Sequence, residues 1–149
     1  MTQPNKVTII GTGSYAVALG KRLILSDYQV TFGSRNPNLK FLSECFPDHL
    51  EKFNVKTVSD AWNESSDVVF LAISAEDKVY ESIVNEIKDS KPSKRILVDV
   101  SNKIEEISKI HQLSNAEKLK YLLTENKVKN ITVIKGKYCN KYLTQHSCY

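Results

Sequence analysis

The sequence predicts a single α/β domain on a doubly wound, mostly parallel sheet, and three observations carry that expectation. Apolar runs of strand character alternate with helical patterns along most of the chain. Two of the runs, Asp67-Val68-Val69-Phe70-Leu71-Ala72-Ile73 and Arg95-Ile96-Leu97-Val98-Asp99-Val100, are apolar at consecutive positions. Parallel strands covered on both faces have that pattern, whereas half-exposed strands alternate. The first run, Val7-Thr8-Ile9-Ile10, passes straight into Gly11-Thr12-Gly13-Ser14-Tyr15-Ala16, a Gly-x-Gly-x-x-Ala turn that opens a helix.

Taken in order, strands are expected near 6–11, 29–33, 55–58, 67–73, 95–100 and 131–135. Helices are expected near 14–26, 38–46, 75–89 and 114–124, with a short helical turn around Ser59–Asn63. In the helix after residue 75, Val79, Tyr80, Ile83, Val84 and Ile87 recur at helical spacing and form one apolar stripe. Ser114-Asn115-Ala116-Glu117 has the form of a capping box ahead of Leu119, Leu122 and Leu123, and so marks a helix start. Right-handed crossovers then give the strand order 3-2-1-4-5-6. Residues 1–136 form the expected domain, and 137–149 an irregular tail with neither strand nor helix period.

The opening turn carries the functional signal. Gly11 permits the tight turn, Gly13 lets a pyrophosphate approach the backbone N–H groups of the helix N-terminus, and small Ala16 lets the helix lie close on the sheet. Thr31-Phe32-Gly33-Ser34-Arg35-Asn36-Pro37 ends the next strand, where the adenosine ribose of a dinucleotide would lie. An NAD-selective site puts a carboxylate there for the 2′-OH. This chain has none at that point; a hydroxyl beside a guanidinium suits a 2′-phosphate, so the expected ligand is NADP(H) in a Rossmann-type fold.

Composition narrows the remaining classes. The chain has 149 residues, 41% of them hydrophobic, enough to bury a substantial core. No apolar run approaches the ~18 residues that span a bilayer, and the polar start Met1–Lys6 is not a signal sequence. Cys45, Cys139 and Cys148 are odd in number and irregularly spaced, which fits a reducing, cytoplasmic setting. The net charge of +4 is concentrated after Glu125, where Lys127, Lys129, Lys135, Lys137 and Lys141 occur without an acid. That is a solvated basic end, and no aromatic-interleaved stripe points to nucleic acid. Cys139, His146 and Cys148 lack metal-site spacing, so no metal is expected.

Four segments in order, Ile10–Ala16, Gly33–Pro37, Leu97-Val98-Asp99-Val100-Ser101-Asn102 and Ser114–Glu117, resemble the cytosolic oxidoreductase domain of the STEAP metalloreductases. That domain is similar to archaeal deazaflavin-dependent NADP reductases, and the resemblance runs from about Lys6 to Gly136. It implies that NADPH reduces a flavin (FAD or FMN), which passes electrons through a membrane-domain haem to Fe(III) or Cu(II). It also implies that Thr12, Gly13, Ser14 and Tyr15 contact the cofactor phosphates, and that Ser34 and Arg35, with Asn36 beside them, meet the 2′-phosphate. Ala72, Ile73 and Ser74 would line the nicotinamide side, with Asn102 nearby. The bland reading of Ser74 is a helix cap through Asp77, and of Asn102 a turn former. His111 reads as a solvated loop histidine. From Lys137 the chain departs from the family pattern, and the membrane portion is expected to be missing.

Three functions follow. The first is an NADPH-dependent oxidoreductase module that reduces flavin and, inefficiently, ferric or cupric chelates. The second is an NADPH-binding module without turnover that joins full-length relatives or further copies of itself. The third is another NADP reductase of the superfamily, such as an imine reductase.

Overall fold

A computed structural model describes residues 5–91, 93–101 and 113–136. Asn102, His111 and the 137–149 tail, with Cys139, His146 and Cys148, lie outside the described residues. Six parallel strands form one sheet: β1 (Lys6–Ile10), β2 (Gln29–Ser34), β3 (Phe53–Thr57), β4 (Val68–Leu71), β5 (Arg95–Asp99) and β6 (Ile131–Lys135). Their order is β3-β2-β1-β4-β5-β6, as the crossover rule predicts. The helices are α1 (Ser14–Leu25), α2 (Leu39–Cys45), α3 (Val58–Asn63), α4 (Asp77–Ile87) and α5 (Asn115–Glu125).

Alternation along β1 builds two cores. Val7 and Ile9 face α1 and α2, where Ala16, Val17, Phe32, Leu42 and Phe46 are buried. Ile10 points the other way, into a core with Trp62, Leu71, Tyr80, Ile83, Leu97 and Leu119 under α3, α4 and α5. Each such aliphatic side chain contributes about 1.5–3 kcal/mol on burial. Phe32, Phe46 and Phe53 form an aromatic cluster with ring centroids 5.2–6.4 Å apart.

Several boundaries differ from expectation. β3 starts at Phe53 rather than 55, because Phe53 pairs with Val30 and packs into the aromatic cluster. A 3-10 turn at Leu50–Lys52, absent from the sequence reading, delivers the chain to that strand. β4 stops at Leu71 and α4 starts at Asp77, so Ala72–Glu76 is a loop rather than strand end and helix start. The apolar run of β5 is not covered on both faces among the described residues: Ile96 is 36% exposed, and Ile134 on β6, the partner of Val98, is 46% exposed. α5 covers the opposite face, through Leu119 and Leu123.

Candidate functional site: a cleft at the carboxyl edge of the sheet

Register brings the site together. Ile10 pairs with Gly33 on one side and Leu71 on the other, and Leu71 pairs with Asp99. The next residues, Gly11, Ser34, Ala72 and Val100, therefore stand in a row at the carboxyl edge. The Gly11 amide donates to the Gly33 carbonyl (2.8 Å), the Ala72 amide to Ile10 (2.8 Å) and the Val100 amide to Leu71 (3.1 Å). Strand order reverses between β2-β1 and β4-β5, the switch point where open α/β sheets bind ligands.

A cleft of about 510 Å³ opens there. Its walls include Gly11, Thr12, Gly13, Ser14 and Tyr15 from the first turn, Ser34, Arg35 and Asn36 after β2, and Ala72, Ile73 and Ser74 after β4. Every residue the sequence nominated is thus gathered into one cavity, save Asn102, which lies outside the described residues. Gly11 has φ +123°, and a Cβ on it would sit 2.1 Å from the Ala72 carbonyl oxygen, so only glycine lets the two chains approach. A Cβ on Gly13 would meet nothing within 4 Å; it faces open space in the cleft mouth. Gly13 is also the N-cap of α1; its carbonyl accepts from the Val17 amide, but it has no side chain to cap the first-turn N–H groups. An anion is the natural occupant of that position.

At the end of β2, buried Ser34 accepts a hydrogen bond from the Asn36 amide (3.1 Å), which shapes the turn that presents exposed Arg35. Arg35 acts across the cleft on α4. Burial pushes the Glu86 carboxyl up and the Arg35 charge partly opposes it. The Glu76 carboxyl is held below the usual range by hydrogen bonds from Ser74 and Lys78, with Arg35 adding to the effect. The Ser74 hydroxyl donates to Glu76 Oε1 (3.0 Å), and Glu76 is the N-cap of α4, so the expected cap through Asp77 is replaced by this shorter contact.

Sequence reasoning missed part of the wall. Val58 on α3 and Val79 and Ile83 on α4 line the cleft, although the stripe on α4 had the spacing of a purely structural core. It also missed the contacts that Asp99, Tyr80 and Lys135 make with one another and with Ser101 at the end of β5. The Asp99 carboxylate is fully buried. It accepts from the Ser101 amide (3.0 Å), the Ser101 hydroxyl, the Tyr80 hydroxyl (3.3 Å) and Lys135 Nζ (3.3 Å). Burial pushes the Tyr80 phenol well above its ordinary value. Ser101 reaches the cleft wall, so this network backs the cleft at the end of β5. The available signal was a lone carboxylate inside an apolar strand.

Fold and cleft together define the dinucleotide-binding domain of an oxidoreductase. The sequence profile of the family described as NADP oxidoreductase, coenzyme F420-dependent, matches residues 6–103, and the chain belongs to that family. It is 39% identical over 115 residues to rat Metalloreductase STEAP3, covering 76% of this chain and 21% of that protein. With mouse Metalloreductase STEAP2 the identity is 37% over 131 residues, covering 86% and 24%. The chain therefore spans less than a quarter of the length of these relatives. Among solved structures, a protein from Sinorhizobium meliloti gives a TM-score of 0.66 at 23% identity, covering 88% of this chain and 60% of that one. An imine reductase from Myxococcus stipitatus in complex with NADP+ gives 0.62 at 20%, covering 87% and 39%. At these identities the structural likenesses speak for the fold. Among the described residues no helix is long and apolar enough to cross a membrane, and no His, Cys, Asp and Glu cluster could hold a metal.

Proposed function

We propose that this chain binds NADPH in the carboxyl-edge cleft and serves as an oxidoreductase module whose hydride acceptor is a flavin. The observation that carries the reading is the pairing of two features of one cavity. The glycine turn opens onto the N-terminus of α1, and the end of β2 offers Ser34 and Arg35 where NAD-selective sites have a carboxylate. The residues fit the ligand: Gly13 leaves room for a pyrophosphate, and Thr12, Ser14 and Tyr15 surround it. Ser34 and Arg35 meet the 2′-phosphate, with Asn36 at the rim, while Val58 offers an apolar surface to the adenine. Ala72, Ile73 and Ser74 then flank the nicotinamide.

NADPH supplies the hydride. What this chain contributes is position: the Asp99 network holds Ser101 in place at the wall, and Ser74 is held by Glu76. The closeness to the metalloreductases supports a flavin as acceptor and ferric or cupric chelates as final oxidants. Asn102 belongs to the same proposed site. The cytoplasm is the proposed compartment.

Titration calorimetry with NADPH should give saturable heat, and its absence on folded protein overturns the reading. Mixing protein, NADPH and FAD or FMN, with and without ferric citrate, should oxidise NADPH faster than the protein-free control. Saturable binding without oxidation would make the chain a cofactor-binding module instead.

A further inference from the structure

A second pocket, of about 330 Å³, lies at the opposite, amino edge of the sheet, where β5 and β6 begin. Lys88, Lys91, Arg95, Lys127 and Lys129 line it, and among the described residues no carboxylate does. Lysines gather at helix carboxyl ends for a general reason, and α4 and α5 both finish here, each supplying roughly half a negative charge. Two half-charges do not balance five cations.

Two further observations point to a ligand. Arg95 is 5% exposed, yet no carboxylate among the described residues bonds it. Its Nε donates to the Ser65 hydroxyl (2.7 Å) and one terminal nitrogen to the Trp62 carbonyl (3.0 Å), while the guanidinium lies 4.8 Å from the Trp62 ring centroid. Asp67 acts on it only through space, and burial pulls its pKa down. A guanidinium so held is oriented and short of an anion. The Ser90 hydroxyl, also in the lining, is buried and has no hydrogen-bond partner among the described residues.

We infer that this pocket binds a phosphate monoester. A dianion with three exposed oxygens matches a fixed guanidinium, a spare hydroxyl and several ammonium groups better than a single carboxylate does. The apolar sides of Ile87, Val128 and Ile131 accommodate a small organic body attached to the phosphate. The monoester can belong to a soluble metabolite or to a lipid headgroup, and the test separates the two.

The full chain is titrated with phenyl phosphate, and by cosedimentation with phosphatidylcholine vesicles carrying phosphatidylinositol 4-phosphate or charge-matched phosphatidylserine. Saturable phenyl phosphate binding is expected, weakened about ten-fold or more by the Lys88→Gln/Lys127→Gln pair and by about ten-fold in Ser90→Ala, while thermal unfolding is unchanged. Arg35→Ala, which alters only the carboxyl-edge cleft, should leave it intact, so the result stands apart from NADPH binding. Vesicle binding selective for the phosphoinositide would assign the monoester to a lipid; phenyl phosphate binding without it would assign a soluble ligand. Loss in Arg35→Ala but not in the lysine pair, or no saturable binding of phenyl phosphate together with equal binding to both kinds of vesicle, overturns the inference.

Discussion

Single residues decide whether the carboxyl-edge cleft can exist and what it selects. Gly11 combines φ +123° with a backbone contact that a Cβ would violate at 2.1 Å. Gly11→Ala should therefore lower stability by about 1–3 kcal/mol from the dihedral alone, and abolish saturable NADPH heat in calorimetry. Arg35 acts differently, since it is exposed and holds no part of the core. Charge-assisted phosphate contacts contribute about 1.5–3 kcal/mol each. Arg35→Ala should weaken NADPH by roughly ten- to a hundred-fold with little effect on NADH; equal losses for both would refute the 2′-phosphate assignment. Both residues were legible in the sequence, because a turn glycine and a cation at a strand end carry their meaning locally.

At the scale of elements, packing overrides propensity. Ala16 has the small size expected at the helix–sheet contact and is fully buried. The tightest approach is nevertheless at Gly20, where a Cβ would sit 2.3 Å from Phe32 Cζ. Mid-helix Gly→Ala normally gains about 1 kcal/mol, but overpacking costs about 1–3 kcal/mol. Phe32 is fully buried against Phe46 and has no room to swing aside, so Gly20→Ala should lower the denaturation midpoint rather than raise it. The start of α5 shows the opposite case, a local rule obeyed. Ser114 accepts from the Glu117 amide (3.3 Å), and the Ser114 amide donates to Glu117 Oε2 (2.7 Å), the reciprocal pair that the sequence announced. Ser114→Ala should cost about 1 kcal/mol, read from urea unfolding. The early start of β3 and the late start of α4 were not legible, because Phe53 is held by distant aromatics and Glu76 is engaged by Ser74.

For the whole molecule, the sheet register couples the two cores and the site. Tyr80 from α4, Asp99 and Ser101 from the end of β5, and Lys135 from β6 meet in one network around the buried Asp99 carboxylate. The Tyr80 phenol is pushed above its ordinary 10.0, so the unfolded chain loses that proton first as pH rises. Native stability then falls with increasing pH above 10.0, and Tyr80→Phe should flatten that fall in pH-dependent thermal melts. Ligand binding acts on the same scale: NADPH at a hundred times its Kd should add about 2.7 kcal/mol and raise Tm by roughly 5–10 °C.

By itself, the sequence determined the alternation of strands and helices, their order across the sheet, the glycine turn and the cationic strand end. Each depends on neighbours in the chain or on the handedness of crossovers, which local pattern encodes. Only the tertiary structure decided that Val58, Val79 and Ile83 form a wall of the cleft and that α4 and β6 help Ser101 satisfy Asp99. It alone exposed the cationic pocket at the amino edge, where buried Arg95 bonds no carboxylate among the described residues. Those features arise from register and helix docking between residues far apart in the chain, and periodicity holds no record of which distant side chains will meet.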